Sequence, residues 1–164
     1  ENSKKSMICE IKHYQQLTVD ELYRVIQLRI QGFIVENKVC YQDLEDKYDK
    51  HQYYMMWYEN GEMIGVNALC YKKKFKGDDG TIYEYPAFRR QAWMSEYKGG
   101  CTTRDLTEGK KFCMKNYGSP RMMLEITYEG GKQPFLDFGF KEVGTNTDSA
   151  GRKNWIFVYE PDTY

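Results

Sequence analysis

Apolar positions recur along the chain in two patterns, one typical of strands and one typical of helices. Residues 7–14, MICEIKHY, alternate as a first strand does. A helical pattern follows as far as about residue 36, and Thr18 and Glu21 have the spacing of a capping box at its start. We expect this helix to pack against a sheet through one apolar face. The residues of that face are Leu22, Ile26, Ile30 and Phe33.

The middle of the chain predicts a β-hairpin. Two strand-like runs flank Asn60-Gly61, a dipeptide that adopts positive φ at little cost. Residues 41–50 before the hairpin indicate a short polar helix or a turn. Residues 72–80, KKKFKGDDG, indicate a charged loop, and a further strand is expected over about residues 83–96.

The carboxyl-terminal half predicts a helix over residues 102–118, a strand over 121–128 and a short helix from residue 133. Two further runs, KEVGTN and WIFVYE, are expected to form an antiparallel pair. Because a strand–helix–strand crossover joins parallel strands, the strands before and after the first of these helices should run parallel. The predicted fold class is α/β, a mixed sheet with helices on its faces.

Composition narrows the range of functions. The chain has 24 basic and 24 acidic residues, so no net charge draws it to nucleic acid or to an anionic membrane. No apolar run approaches the roughly 20 residues of a transmembrane helix, and the first residues, ENSKKSM, lack the apolar region of a signal peptide. At 164 residues we expect one domain, residues 1–164.

The cysteines and histidines predict neither a disulfide framework nor a metal site. Five cysteines are scattered without a C-x-x-C pair, and the two histidines are isolated. Reduced thiols are typical of the cytoplasm, which is the location that we predict.

The stretch EYKGGCTTRDL, residues 96–106, joins a predicted strand to a predicted helix. The first N–H groups of a helix have no acceptor within it and carry the positive end of its dipole. Two glycines expose the backbone there, and Lys98 and Arg104 add positive charge. The stretch therefore suits either a phosphate or pyrophosphate group, or a plain turn without a ligand. The phosphate-loop pattern G-x-x-x-x-G-K-[ST] and the dinucleotide pattern G-x-G-x-x-G are both absent.

Three segments resemble the GNAT superfamily of N-acetyltransferases, and ElaA-like members in particular. KGGCTT takes the place of motif A, [QR]-x-x-G-x-[GA], with Lys98, Cys101 and Thr103 at the defining positions. Residues 22–49 resemble the first helices of ElaA-like proteins, and residues 133–144 resemble the element N-x-x-x-[FY]-Y-x-x-x-G-F-x-x-x-G. The matching residues are Leu28, Arg29, Phe33, Val35, Glu36, Tyr41, Gln42, Phe138, Gly139, Phe140 and Gly144.

The resemblance implies the GNAT fold, a mostly antiparallel twisted sheet with a V-shaped splay between its fourth and fifth strands and helices on both faces. It implies acetyl-CoA as cosubstrate, a primary amine as acceptor, and transfer of the acetyl group between them. It also allows a homodimer. The residues that it assigns to acetyl-CoA are Trp93, Met94, Lys98, Gly99, Gly100, Cys101, Thr102, Thr103 and Arg104.

Acetyl transfer needs a base for the amine and can use an acid for the departing thiolate. The resemblance implies Glu36 or Glu84 as the base. Phe135 stands where many members carry the acid, a tyrosine, so Tyr128 is the alternative donor; otherwise the thiolate leaves unassisted.

Two other functions stay open. The first is a GNAT-fold protein that has lost catalysis and binds coenzyme A or a protein partner. The second is an acyl-homoserine-lactone synthase, a relative with an R-x-x-x-F helix followed by a D-x-x-D element. Arg29 and Phe33, and then Asp46 and Asp49, have that spacing.

Overall fold

The structure is a computed structural model that describes residues 6–38, 40–149 and 151–162. The first five residues of the ENSKKSM segment lie outside these ranges. In the described chain the strands are β1 Ile8–His13, β2 Tyr53–Glu59, β3 Glu62–Lys76, β4 Ile82–Trp93, β5 Met122–Ile126, β6 Lys141–Thr147 and β7 Lys153–Tyr159. The α-helices are α1 Val19–Arg29, α2 Asp46–Asp49, α3 Cys101–Tyr117 and α4 Gln133–Phe138.

The strands form one sheet in the order β1-β2-β3-β4-β5-β7-β6. The pairs β1–β2, β2–β3, β5–β7 and β6–β7 are antiparallel. Strands β4 and β5 are parallel and pair at Ala87 and Met123, with α3 as the crossover between them. The predicted mixed sheet and the predicted parallel pair are confirmed.

Two local predictions are also confirmed. The Glu21 backbone N–H donates to Thr18 Oγ1 at 3.1 Å, and the Thr18 N–H donates to Glu21 Oε1 at 2.8 Å, which is a complete capping box. At the hairpin, Asn60 and Gly61 have φ values of 51° and 79°. Two consecutive positive φ angles are those of the type I′ turn, which matches the twist of the flanking strands.

The predicted apolar face of the first helix is wrong in part. Ile30 is 42 % exposed, and an arginine, Arg29, is buried one position before it. The 3.6-residue period also stops at Arg29, because Ile30–Val35 forms a π-helical turn. The buried residues of α1 are Val25, Leu28 and Arg29.

The predicted loop at 72–80 is shorter than expected, because β3 continues to Lys76 and the turn begins only at Gly77. Phe75 is buried, and the ammonium group of Lys73 lies over its ring at 4.4 Å. A strand with one buried and one solvated face tolerates this many lysines, since their stems cover apolar surface. Strand β4, which follows the turn, stops at Trp93, earlier than predicted. Residues Ser95–Tyr97 then form a 3₁₀ turn.

The chain divides into two compact units. The first holds the described residues up to Cys70 together with Arg89–Cys101, and the second holds Tyr71–Phe88 and the described residues from Thr102 onward. The single-domain organisation stays a prediction. The core of the first unit contains Val25, Leu28, Tyr54, Met56, Met63, Val66, Ala68 and Ala92. The core of the second contains Phe75, Ala87, Met123, Ile156 and Val158.

In the second unit, the tip of the β3–β4 hairpin covers part of β6. The Asp78 N–H donates to Thr145 O at 2.7 Å, and the Tyr83 hydroxyl donates to Val143 O at 3.0 Å. The Asp78 carboxylate also accepts from Thr145 Oγ1 at 3.1 Å. Strand β6 lies at the edge of the sheet, so these contacts satisfy groups that another strand could otherwise bind.

None of the helices in the described ranges is long and apolar enough to cross a membrane.

Candidate functional site

The stretch between β4 and α3 is a series of tight turns. The Tyr97 N–H donates to Met94 O at 2.9 Å, the Lys98 N–H to Ser95 O at 3.4 Å, and the Cys101 N–H to Lys98 O at 3.3 Å. We call residues 98–104 the glycine loop; it ends in the first turn of α3. These turns lead directly into the amino-terminal end of α3, a helix of 17 residues, so the backbone amides of residues 98–104 are gathered at that end.

The two glycines of this loop differ in what they require. Gly100 has φ 76°, a left-handed conformation that other residues adopt only at a cost, so it is a turn glycine. Gly99 has no such φ, and a Cβ built on it meets no atom within 4 Å. The protein's own packing therefore does not explain a glycine at position 99. A group that approaches the backbone from solvent would explain it.

The start of α3 carries charges opposite to those that stabilise a helix. Acidic residues are favoured near the positive end of the helix dipole, and α1 has Asp20 and Glu21 there. The first turn of α3 has no acidic residue, Arg104 lies within it, and Lys98 precedes it. This arrangement suits an external anion.

Glu36 contacts the glycine loop. Lys98 Nζ donates to Glu36 Oε2 at 2.9 Å, and Ser95 Oγ donates to Glu36 Oε1 at 3.2 Å. Glu36 ends the π-helical turn, and its own N–H donates to Gln31 O at 3.0 Å. The hydrogen bond from Lys98 lowers the pKa of the Glu36 carboxyl below its ordinary value. A carboxylate with a lowered pKa is a weaker base.

Trp93 is the last residue of β4, Met94 follows it, and both make contacts within the protein. The Met94 N–H donates to Ile64 O at 2.9 Å, and the Met94 carbonyl accepts from Tyr97. The indole ring of Trp93 lies 5.5 Å from that of Trp57 and so close to Gly65 that a Cβ on Gly65 would collide with it. The Trp93 side chain is therefore a core element, which leaves only its backbone for a ligand.

The other two predicted catalytic residues lie in the second unit. The Glu84 carboxylate lies 3.6 Å from Lys74 Nζ and 4.0 Å from Lys72 Nζ. It lines an open groove of about 610 Å³ whose walls include tyrosines from β4 and from the end of α3. The groove tyrosines are Tyr71, Tyr83, Tyr85 and Tyr117. The remaining predicted catalytic residue, Tyr128, is 73 % exposed and lies at the start of a 3₁₀ turn.

Phe135, which stands where the resemblance places an acid, belongs to a cluster of aromatic side chains. Its ring lies 6.1 Å from that of Phe140 and 6.4 Å from that of Phe157. A side chain of this kind can pack but has no proton to give.

Sequence reasoning missed a cluster of ionised side chains in the first unit. We call it the charge ring, because each of its three carboxylates contacts two arginines. Asp49 lies 3.0 Å from Arg29 and 3.3 Å from Arg89. Its members, in order around the ring, are Arg29, Asp49, Arg89, Glu45, Arg90 and Asp43.

The rest of the charge ring closes through Asp43 and Glu45. Asp43 lies 2.8 Å from Arg29 and 3.1 Å from Arg90, and Glu45 contacts both Arg89 and Arg90. A signal was present in the sequence, since two consecutive arginines and one glutamine interrupt the apolar residues of the strand end AFRRQAW.

The acyl-homoserine-lactone-synthase spacing is matched only in part. Of the two acidic residues with that spacing, Asp49 is paired with Arg29 at 3.0 Å. The Asp46 side chain is 86 % exposed and pairs with Lys50 at 3.3 Å. The second buried acid is Asp43 instead, so the D-x-x-D spacing does not describe the pair that the fold assembles.

No group of three or more metal-ligating side chains occurs within the part of the chain that the structure describes. Cys70, Cys101 and Cys113 are buried, and burial raises the pKa of the Cys113 thiol to about 12.

Comparison with known proteins gives a fold. No protein-family model matches the sequence, and no curated protein does. Among solved structures, an acyl-CoA N-acyltransferase from Pseudomonas aeruginosa matches with a TM-score of 0.72 and 20% identity over 93% of this chain and 99% of that one. Escherichia coli ElaA matches with a TM-score of 0.73 and 18% identity over 94% of this chain and 100% of that one. The chain has the GNAT fold.

The AHL synthase LasI also matches, with a TM-score of 0.65 and 15% identity over 94% of this chain and 89% of that one. At these identities the likeness concerns the fold. The predicted fold class, with its likeness to ElaA, is therefore confirmed, and the roles of individual residues stay predictions.

Proposed function

We propose that the protein is an acyl-CoA-dependent N-acyltransferase that transfers the acetyl group of acetyl-CoA to a primary amine. The observation that carries this proposal is the glycine loop. It combines an open glycine, Gly99, with a helix start that has basic residues and no acidic residue in its first turn. In a chain with the GNAT fold, a diphosphate is the group that such a loop would bind.

In this proposal the diphosphate of acetyl-CoA is held by the side chains of Lys98 and Arg104 and by glycine-loop amides other than those of Lys98 and Cys101, which donate within the protein. The pantetheine arm follows the backbone at the end of β4. Since the Met94 N–H already donates to Ile64 O, the arm would use carbonyl groups there. A carbonyl oxygen has two lone pairs, so the Met94 carbonyl can accept a second hydrogen bond beside that of Tyr97.

The chemistry needs few protein groups. The neutral amine attacks the thioester carbonyl carbon, the carbon–sulfur bond then breaks, and the amine proton leaves with a base. Both base candidates lie beside lysines, but Lys98 hydrogen-bonds to Glu36 at 2.9 Å, whereas the ammonium groups beside Glu84 lie 3.6 and 4.0 Å away. Glu84 is the less tightly paired of the two. Glu84 is then the candidate for the base, directly or through water, and Tyr128 is the candidate for protonating the thiolate of coenzyme A.

A titration and an assay test the proposal. Acetyl-CoA at about 100 times its dissociation constant should stabilise the folded protein by about 2.7 kcal/mol, which thermal unfolding detects. Incubation with a panel of amines should then release free coenzyme A thiol. The absence of any thermal shift at millimolar acetyl-CoA would contradict the proposal.

A second function has one observation in its favour. Phe135 has no proton to give and packs against other phenylalanines, so the protein could bind coenzyme A without catalysing transfer. A thermal shift without thiol release across the amine panel would select this second function. The homodimer and the cytoplasmic location stay predictions.

A further inference from the structure

We infer that the charge ring positions strand β4 for acyl transfer, so that its six residues act on the reaction without contacting substrate. This inference rests on the proposed function. It starts from one backbone feature, the φ of 56° at Arg90, which lies inside β4. A residue other than glycine rarely adopts a left-handed conformation within a strand, and such sites persist only where the surroundings hold them.

The surroundings of Arg90 are the charge ring. Arg90 Nε lies 3.1 Å from Asp43 Oδ1, and its Nη2 lies 3.8 Å from Glu45 Oε2. The aromatic rings of Phe33 and Tyr41 are each centred 6.0 Å from its guanidinium carbon. Charged and aromatic groups thus restrain the side chain of the strained residue on several sides.

The next residue back along the strand is restrained even more. The Arg89 side chain is 4 % exposed and donates to Asp49 Oδ1, to Gln52 Oε1 at 3.0 Å and to Glu45. Its guanidinium group also lies over the ring of Tyr48 at 4.4 Å. Residues 89 and 90 are therefore fixed relative to the segment that contains Asp43, Glu45 and Asp49.

Arg29 joins this segment to the first helix. It donates through Nε to Asp43 at 2.8 Å, through Nη1 to Asp49 at 3.0 Å, and through Nη2 to the Asp43 carbonyl at 3.1 Å. Helix α1, the segment 41–49 and Arg90, whose left-handed conformation we call the kink of β4, are thus connected by one closed network. Replacing buried ion pairs by apolar side chains is often neutral or favourable for stability. Stability alone therefore does not account for the four buried charges of the ring, Arg29, Asp43, Asp49 and Arg89.

The kink matters because of where β4 leads. A left-handed residue in a strand re-aims the residues that follow it, as in a β-bulge. Those residues are Gln91 to Met94, and the proposed function places the pantetheine arm against the last two. Loosening the kink should therefore misplace the thioester, whereas the diphosphate stays at the glycine loop. The expected signature is a lower kcat with little change in the affinity for acetyl-CoA.

The test uses Arg90→Gln, which removes the charge but keeps the β-carbon, and Arg90→Lys, which keeps the charge. The matched control is Asp46→Asn, which removes a carboxylate of the same segment that lies outside the ring. For each protein, calorimetry gives the dissociation constant of acetyl-CoA. The thiol-release assay gives kcat with an amine from the panel that the wild type acetylates. Hydrogen exchange measures the exchange rate of the Met94 amide.

We expect Arg90→Gln to lower kcat at least tenfold, to change the acetyl-CoA affinity less than threefold, and to speed exchange at Met94. Arg90→Lys should recover part of the kcat, and Asp46→Asn should behave as the wild type. If Arg90→Gln does not fold, Glu45→Gln at the half-exposed corner of the ring takes its place. An unchanged kcat, or a parallel loss of affinity, would overturn the inference. A wild type that binds no acetyl-CoA would instead overturn the proposed function, and faster Met94 exchange in Arg90→Gln would still support the positioning of β4.

Discussion

Lys98 Nζ lies 2.9 Å from Glu36 Oε2, so the lysine of the glycine loop already has a carboxylate partner before any anionic ligand binds. A diphosphate at this loop would have to replace Glu36 as the partner of Lys98 or share the lysine with it. Glu36 also accepts a hydrogen bond from Ser95, which keeps its carboxylate beside the loop. The carboxylate therefore competes with an anionic ligand for the same cation.

The first prediction concerns Glu36→Gln. The substitution removes the competing negative charge, and partly exposed ion pairs contribute about 0.2–1 kcal/mol. We therefore expect the KM for acetyl-CoA to fall by about twofold to fivefold, while kcat changes less. Steady-state kinetics at low ionic strength measure both constants, and the difference from the wild type should shrink as salt screens the charges.

Glu96→Gln is the matched control for that experiment, because it removes a carboxylate two residues from Lys98. Its KM should change less than that of Glu36→Gln. A drop in kcat of about a hundredfold or more in Glu36→Gln would instead identify Glu36 as the general base, since that is the size of a general-base contribution.

The second prediction concerns Gly100→Ala. Gly100 has φ 76°, so alanine would be strained there, and we expect a loss of about 1 kcal/mol in the free energy of unfolding. Urea unfolding at constant pH measures the change. Gly99→Ala should leave the stability nearly unchanged, because its Cβ meets open space. Equal losses in the two variants would show that the glycines do not have separate roles.

The third prediction concerns Asp49 and pH. Burial opposes the ionisation of Asp49, but hydrogen bonds from Arg29 and from the Glu45 N–H outweigh it, so the pKa of Asp49 is lowered from 3.8. A carboxyl with a lowered pKa contributes stability above its unfolded pKa and loses that contribution as the pH falls below it. The contribution of Asp49 should therefore be complete near neutral pH and disappear progressively below about pH 4.

Asp49→Asn measures that contribution. At pH 7 it leaves the buried Arg29 and Arg89 with one carboxylate partner each in place of two. We expect a loss of about 3 kcal/mol in the free energy of unfolding. The gap to the wild type should narrow as the pH falls below 3.8. Urea unfolding across pH 3–7 follows it, with Asp46→Asn as the control that should differ from wild type by less than about 0.5 kcal/mol. A gap that is constant with pH would refute the role of the Asp49 charge.

The fourth prediction concerns the edge of the sheet. The carboxylate and N–H of Asp78 contact Thr145 of the edge strand β6. Asp78→Ala removes the side-chain contact and one negative charge from this edge. We expect more self-association, which sedimentation velocity at increasing concentration detects, because uncovered edges pair with other chains. Asp162→Ala removes a carboxylate elsewhere and serves as the control; equal association of the two variants would contradict the covering role.

Local features of the fold could be predicted from the sequence because their causes lie within a few residues. The Thr18–Glu21 capping box and the Asn60-Gly61 turn are each decided by the chemistry of neighbouring positions. The parallel pairing around α3 follows from chain order alone. The resemblance added the GNAT fold, which the solved structures confirm.

The charge ring could not be predicted in the same way. Arg29, Asp49 and Arg89 lie far apart in the sequence and meet only when the helix, the segment 41–49 and the strand are assembled. An arginine in a helical apolar pattern is ordinarily solvated, so the pattern predicts a buried Ile30 in place of Arg29. The different roles of Gly99 and Gly100 also depend on backbone angles and on empty space, which residue types do not reveal.

The most direct test of the account is the binding of acetyl-CoA to the wild type and to Gly99→Ala, measured by titration calorimetry. The wild type should bind, and the variant should bind at least about tenfold more weakly, because a Cβ at residue 99 keeps the diphosphate from the loop amides. Thermal unfolding without ligand should be the same for both. No binding by the wild type at millimolar acetyl-CoA, or equal binding by the two proteins, would contradict the assignment of the glycine loop to acetyl-CoA.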